Sequence, residues 1–386
     1  MPSEPVDVLI IGGGPAGLTA ALTLARQLHT AILFDSGSYR NGAASQMHMI
    51  PTWDNKSPAD FKAAARKEIL SNYSTIQIEE VEIAKAEKIN DSLFQLLDAN
   101  GKTWQGKKLI LATGSADVYP DIPGYTDCWT KRIFHCLFCH GYEDRGSSSA
   151  GVLAVHSAAY APLAIHFAEN AAQLSSQVTI YTNGSQELGS QLEAALGAGE
   201  KKFKVDNRAI SRLSLVETGE EPTAIKLEFA DGTTTTETFL VHNPLTQVKG
   251  PFASQLGVEF SPSPIPGTGD IAANPPFHQT SVRGVFAAGD CITPYKVIAG
   301  AISSGCNAAV AASAQLLAEN GGELMLNMES LTRECPELQT WLYLKVSEQS
   351  LQQVRLIILR RIGLHRRLPE SFKTANNILS HMKRFD

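Results

Sequence analysis

Short β-rich apolar runs alternate with longer stretches of helical periodicity through the first 120 residues, and the alternation resumes near residue 150. Val6–Ile11 is β-rich, Gly17–Gln27 carries Ala and Leu at helical spacing, and Thr30–Phe34 is a second β run. That order predicts a βαβ unit, and hence a parallel sheet covered on both faces. Leu109–Leu111 reads as a further buried strand that ends in a tight turn at Ala112-Thr113-Gly114. Residues 117–124, with two prolines and a glycine, read as a linker. A second strand–helix–strand pattern starts at Gly151, with Val152–Val155, then Ala158–Ala172, then Val178–Tyr181. Residues 201–240 read as β strands with a turn at Asp231-Gly232. From about Leu245 the pattern returns to the first domain, where Gly284–Asp290 is a strand with a Gly-Asp end and Ala299–Leu317 is helical.

The expected fold class is therefore α/β, with two Rossmann-like βαβ domains, the smaller inserted in the larger. Residues 1–116 and 246–325 form the larger domain, 117–245 the inserted one, and 326–386 a helical C-terminal extension. From Leu331 this extension holds ten Lys/Arg against five Asp/Glu, and Val354–Arg367 interleaves Leu and Ile with Arg. It reads either as a docked helix with a solvated basic face or as a membrane-surface or partner helix.

Composition narrows the class. The 386 residues suffice for two domains and a large core. A net charge of −6 argues against nucleic acid as a partner. No uninterrupted apolar stretch is long enough for a membrane span. The first residues lack the basic and apolar regions of a secretory signal, so the expected location is cytoplasmic. Six cysteines in so long a chain are no disulfide framework. Cys128, Cys291, Cys306 and Cys335 stand alone and read as packing residues.

Three motifs carry chemistry. Gly12-x-Gly14-x-x-Gly17, with Pro15 and Ala16 inside it, follows a strand and opens a helix. Its glycines admit a pyrophosphate to the backbone, the helix N-terminus supplies N–H donors, and Asp35 stands where a carboxylate accepts from ribose hydroxyls. Gly289-Asp290 alone is weaker, because an Asp after a strand often caps a helix. With Thr113-Gly114 between it and the first turn, it suits the ribityl–pyrophosphate part of FAD, a third contact that NAD does not need. The third motif is Cys136-Leu137-Phe138-Cys139, flanked by His135 and His140. It has three readings: a redox disulfide, a metal site, or haem attachment at Cys-x-x-Cys-His. The lack of a second cysteine pair weighs against metal, and the lack of an export signal weighs against haem. The two histidines are candidates for moving a thiol proton, or are hydrogen-bonded core residues.

At this point the chain resembles the low-molecular-weight thioredoxin reductases, through the glycine turn, Ala112-Thr113-Gly114, the dithiol ahead of Gly141-Tyr142, and Gly284–Asp290, collinear over about residues 5–318. The resemblance implies FAD on the larger domain, a dithiol facing it, and a homodimer. It departs from that family where NADPH would bind. His156-Ser157-Ala158-Ala159-Tyr160-Ala161 replaces the second glycine turn, residues 177–190 contain no Lys or Arg, and His140 replaces the acid after the second cysteine. In these departures it looks like the fungal gliotoxin-type dithiol oxidases and the bacterial holomycin-pathway oxidases, and in residues 136–143 and the segment from Tyr39-Arg40-Asn41 through Ser57-Pro58-Ala59 it looks like the fungal branch. That likeness implies a flavin-dependent thiol oxidase that closes a disulfide in a small dithiol and passes the electrons to O2. Cys136 would be the exchanging sulfur, Cys139 the flavin-proximal one, and His140 the group that takes the substrate proton. Val297 and Ile298 would face the flavin. The alternative is an NADPH-dependent disulfide reductase.

Overall fold

The computed structural model describes residues 4–197, 202–217, 219, 222–263 and 267–320. The basic extension and Cys335 lie outside the described residues.

Four strands rich in buried apolar residues form the centre of a nine-stranded sheet. Val6–Ile11 pairs in parallel with Ala31–Phe34 on one side and Thr103–Leu111 on the other, and Val285–Ala287 extends the sheet beyond Thr103–Leu111. The register brings Ile11 level with both Phe34 and Leu111, and Leu111 level with Ala287. All four strands therefore end along one edge. The chain segments that follow them, at Gly12, Asp35, Ala112 and Ala288, emerge side by side. Because Val6–Ile11 has neighbours that lead away in opposite directions, this edge is the switch point at which open parallel sheets bind ligands.

The helix Pro15–Ala25 covers one face, and the helix Ile298–Asn320 packs beside it. Pro15 sits in the first turn, where its missing N–H costs nothing. Ser57 caps Pro58–Asn72 by accepting from the N–H groups of Ala59 and Asp60. Among the described residues, Ile298–Glu319 is long and apolar enough to cross a membrane by length and composition, although polar residues interrupt it. Small residues carry the helix. Ala301, Ala308, Ala309, Ala312 and Leu316 are buried in the same core as Leu18 and Ile110, as expected of a core helix. Gly305 lies against the Ala16 carbonyl, where a Cβ would come within 2.1 Å of the oxygen.

The second parallel sheet has the order Phe203–Asp206, Val178–Tyr181, Ala150–Leu153, Leu240–Val241, Ile133–Phe134. The helix Ala161–Ala171 buries Ala164, Ala168 and Ala171 against it. That helix starts three residues later than its pattern predicts, because His156–Ala158 wind a separate 3-10 turn and Pro162 enters at the helix start. Ile210–Glu217, Pro222–Phe229 and Thr234–Glu237 form a three-stranded antiparallel sheet. Part of the expected linker is itself a strand: Ser115–Val118 pairs antiparallel with Leu245–Val248, so the outgoing and returning crossings between the two parallel sheets are stitched together.

Candidate active site

The switch-point edge opens into a cleft of about 270 Å³. Gly12, Gly14, Pro15 and Ala16 line it from the first turn, Asp35, Arg40 and Asn41 from the second strand's end, and Thr113 and Gly114 from the third. Gly289, Asp290, Val297 and Ile298 close the far side, and His135, Cys139 and His140 reach in from the second sheet. Two expected residues do not line it. Gly17 lies behind the turn, where a Cβ would stand 1.9 Å from the Gly12 carbonyl oxygen, so it permits helix–strand contact. Cys136 opens elsewhere, as described below.

The turn is built for a phosphate. Gly12 has φ +119°, and a Cβ there would lie 2.1 Å from the Ala112 carbonyl oxygen. Gly14 makes no side-chain cap, which leaves the first-turn N–H groups of Pro15–Ala25 directed at the cleft. Space around Gly14 and Gly114 is open to 4 Å, and Thr113 Oγ1 is buried without a hydrogen-bond partner. An orphaned hydroxyl beside an open glycine cradle fits a polar dinucleotide. Asp35 is already engaged: it accepts from Gly37 N–H at 2.9 Å, Tyr39 O–H at 2.5 Å and Arg66 Nη1 at 2.8 Å. No sequence pattern signals these three donors, nor Gly13, whose missing Cβ leaves room for the Asp35 carboxylate.

Asp290 lies on the 3-10 turn Gly289–Ile292. The Gly289 N–H donates to Ser304 Oγ at 2.9 Å, which pins that turn to the long helix. Burial raises the Asp290 carboxyl above the usual carboxylate range, while Arg40 and Lys296 oppose the shift. Arg40 donates to Asp117 Oδ1 through Nε and Nη2 and stands 3.7 Å from Asp290. Lys296 is buried and donates to Asp270 and to the Asp290 and Thr293 carbonyls. A lone Lys before an apolar helix gave no sequence signal for this role.

Cys136 and Cys139 are joined in a disulfide, on the segment that continues from the edge strand Ile133–Phe134. The Cys139 N–H donates to Cys136 Sγ at 3.2 Å, and the His140 N–H to the Cys136 carbonyl at 3.0 Å, which fixes the turn. The two sulfur residues face different spaces. Cys139 lines the cleft, whereas Cys136 lines a second cavity of about 190 Å³ with Leu137, Phe138, His166, Phe167 and Tyr295. Arg40, His135, Lys296 and Val297 line both and form the wall between them. Phe138 and Tyr295 are exposed at the outer cavity's mouth.

The histidines divide in the same way. His140 lines only the cleft, stacked on Phe134 with ring centroids 5.7 Å apart, and so lies on the Cys139 side. His135 reaches both spaces. Burial pushes its imidazole down to about 3, and the charges of Arg40, His140 and Lys296 push the same way, so it is neutral at physiological pH. Burial, then the neighbouring His48, also lowers His140, against the pull of Glu143. Burial pushes the thiols of Cys128 and Cys291 up to about 11, which leaves both inert.

Comparison with known proteins agrees with this geometry. The model of the pyridine nucleotide-disulphide oxidoreductase family matches residues 6–315. The chain is 45% identical over 322 residues to thioredoxin reductase tcpT of Claviceps purpurea (strain 20.1), covering 83% of this chain and 97% of that one. It is 40% identical over 315 residues to thioredoxin reductase sirT of Leptosphaeria maculans, covering 81% and 94%. Among solved structures, an oxidoreductase from Agrobacterium tumefaciens superposes with a TM-score of 0.72 at 32% identity, over 81% of this chain and 99% of its own. With a family model across both sheets and close relatives along nearly their whole length, the chain belongs to the pyridine nucleotide-disulphide oxidoreductases, as a thioredoxin-reductase-like flavoprotein whose cofactor is FAD.

Proposed function

We propose that this protein is an FAD-dependent dithiol oxidase, which closes an intramolecular disulfide in a small secondary-metabolite dithiol and delivers the electrons to O2. The observation that carries the reading is the two-faced disulfide, with Cys139 in the cleft and Cys136 in a separate cavity. In this reading the inner turn, Asp290, Thr113 and the backbone at Val297-Ile298 hold FAD. Bound FAD supplies a two-electron acceptor next to Cys139, and dioxygen removes those electrons as hydrogen peroxide.

The chain's own residues do the rest. A substrate thiol enters the outer cavity and attacks Cys136, which breaks the enzyme S–S bond, forms a mixed disulfide and leaves Cys139 as a free thiol that carries the proton. His135, neutral and open to that cavity, can hydrogen-bond the incoming sulfur, but an imidazole pushed down to about 3 is too weak a base to hold the proton. The resemblance gives the proton-moving role to His140, which lines the cleft on the Cys139 side. The second substrate thiol then closes the product disulfide and releases Cys136 as a thiol. A cavity of about 190 Å³ suits a small molecule. We further propose a homodimer.

The substituted phosphate seat supports oxidase over reductase. After Ala150–Leu153 the chain winds the 3-10 turn His156–Ala158, with His156 at φ +52° and Ser157 Oγ donating to the Asn243 carbonyl at 2.6 Å. Side chains stand where glycines would admit a pyrophosphate. The fungal relatives are named thioredoxin reductases, which favours the second reading, an NADPH-dependent reductase. Anaerobic mixing separates the two: we expect NADPH to leave the flavin absorbance unchanged and a small dithiol to bleach it. Rapid bleaching by NADPH would establish the reductase instead.

Asp290→Ala should weaken FAD binding by about 10- to 100-fold, the loss of one hydrogen bond to a charged group. Fluorescence titration of the FAD-free protein measures this, and unchanged affinity would remove Asp290 from the cofactor contacts.

A further inference from the structure

We propose that His48 is the outlet for the proton set free when Cys136 and Cys139 reclose, its imidazole poised between the cleft and two solvent-facing carboxylates. This inference rests on the dithiol-to-FAD reading above and adds a residue that the chemistry of the sulfur pair leaves unassigned. Reclosure breaks two S–H bonds and forms one S–S bond. Two electrons pass to FAD together with one proton. The second proton has no acceptor in the sulfur pair and must reach water.

His140 is the imidazole on the Cys139 side, and His48 lies edge-on to it, with ring centroids 6.5 Å apart and planes at 88°. One bridging water spans such a gap. His48 lines the same cleft, and its side chain is only 13% exposed. Its Nδ1 stands 3.4 Å from Asp54 Oδ1 and its Nε2 3.8 Å from Glu143 Oε1, and those carboxylates are 53% and 50% exposed. The ring is inside and its acceptors are outside, which is the arrangement a proton exit needs. The groups facing His48 are thus Asp54 on its own loop, and Glu143 and His140 on the turn that follows the disulfide.

Both carboxylates are held in place. The loop carrying His48 is closed by a bridge between Met47 and Lys56. Inside it, three non-glycine residues, Met49, Thr52 and Asn55, have φ of 65°, 69° and 61°. Backbone in that region is uncommon outside glycine and persists where surrounding contacts impose it, often at functional sites. Here the loop folds Asp54 back so that Oδ1 accepts from the Met49 N–H at 3.1 Å. Glu143 is steadied by the Gly141 N–H, 3.4 Å from Oε2.

The test is anaerobic stopped-flow reduction of the FAD-loaded protein by dithiothreitol, followed at the flavin band. His48→Gln should slow bleaching by at least about 10-fold, as loss of an acid–base group does, while FAD content and melting temperature stay at the wild-type level. His48→Ala should be equally slow and should regain speed when imidazole is added. Wild-type rates in both variants, or slow rates that imidazole does not restore, would overturn the inference. A wild-type protein that dithiothreitol does not bleach would instead overturn the dithiol-to-FAD reading, and this inference with it.

Discussion

Cys139→Ser is expected to abolish dithiol oxidation while leaving a yellow, FAD-loaded protein. Cys139 is the cleft-facing member of the sulfur pair, and Cys136 opens into a different cavity. Removing the inner sulfur breaks the disulfide that joins the two spaces, so Cys136 alone could form a mixed disulfide with substrate and go no further. Loss of a reacting group that acts as part of a unit costs on the order of 10³-fold or more. Oxygen uptake with dithiothreitol measures this, and absorbance in the flavin band checks the cofactor. Serine is close to cysteine in size and Cys139 is only partly buried, so the fold should persist. Oxygen uptake at the wild-type rate would show that electrons reach FAD without the sulfur pair.

The second large effect is expected at Gly12. A methyl group there would stand 2.1 Å from the Ala112 carbonyl oxygen and 3.3 Å from the Thr113 nitrogen, in a backbone conformation with φ +119° that L-residues avoid. The clash cannot be relieved by a rotamer, because both partners are backbone. Gly12→Ala should therefore force Val6–Ile11 away from Thr103–Leu111 at the cleft edge, and cost about 3 kcal/mol or more of stability. The protein should be colourless, because the same displacement moves the helix N-terminus that faces the phosphate. Gly14→Ala provides the contrast: nothing lies within 4 Å of a Cβ at that position, so its effect should fall on FAD affinity and not on melting temperature. Thermal melting with and without added FAD distinguishes the two. A Gly12→Ala protein that melts like the wild type and retains FAD would refute this account of the turn.

What could be read from the sequence was what local pattern determines. Val6–Ile11 and Val178–Tyr181 are short apolar runs bounded by turns, and each is a buried parallel strand. The glycine turn and Gly289-Asp290 carry their chemistry within a few residues, and the structure brings both to the one cleft. Contacts made across the fold could not be read in this way. Asp35 is placed by Arg66, from a helix 31 positions away, and by Tyr39. Arg40 meets Asp117 across 77 positions. His48 is a lone imidazole in a loop without periodicity, and its meeting with Glu143 depends on where the second sheet sets its edge strand. The different placements of His135 and His140 were also hidden. Both flank the same dithiol in sequence, and only the direction in which Ile133–Phe134 delivers the turn separates their rings.

The partition formed by Cys136–Cys139 separates two evolutionary problems. In the proposed function, charge would cross it as electrons, while the carbon skeleton of the substrate would stay on the outer side, against Phe138, Phe167 and Tyr295. None of those three lines the inner cleft, so on that reading the outer walls could be remodelled for a new guest while the cofactor seat is inherited intact.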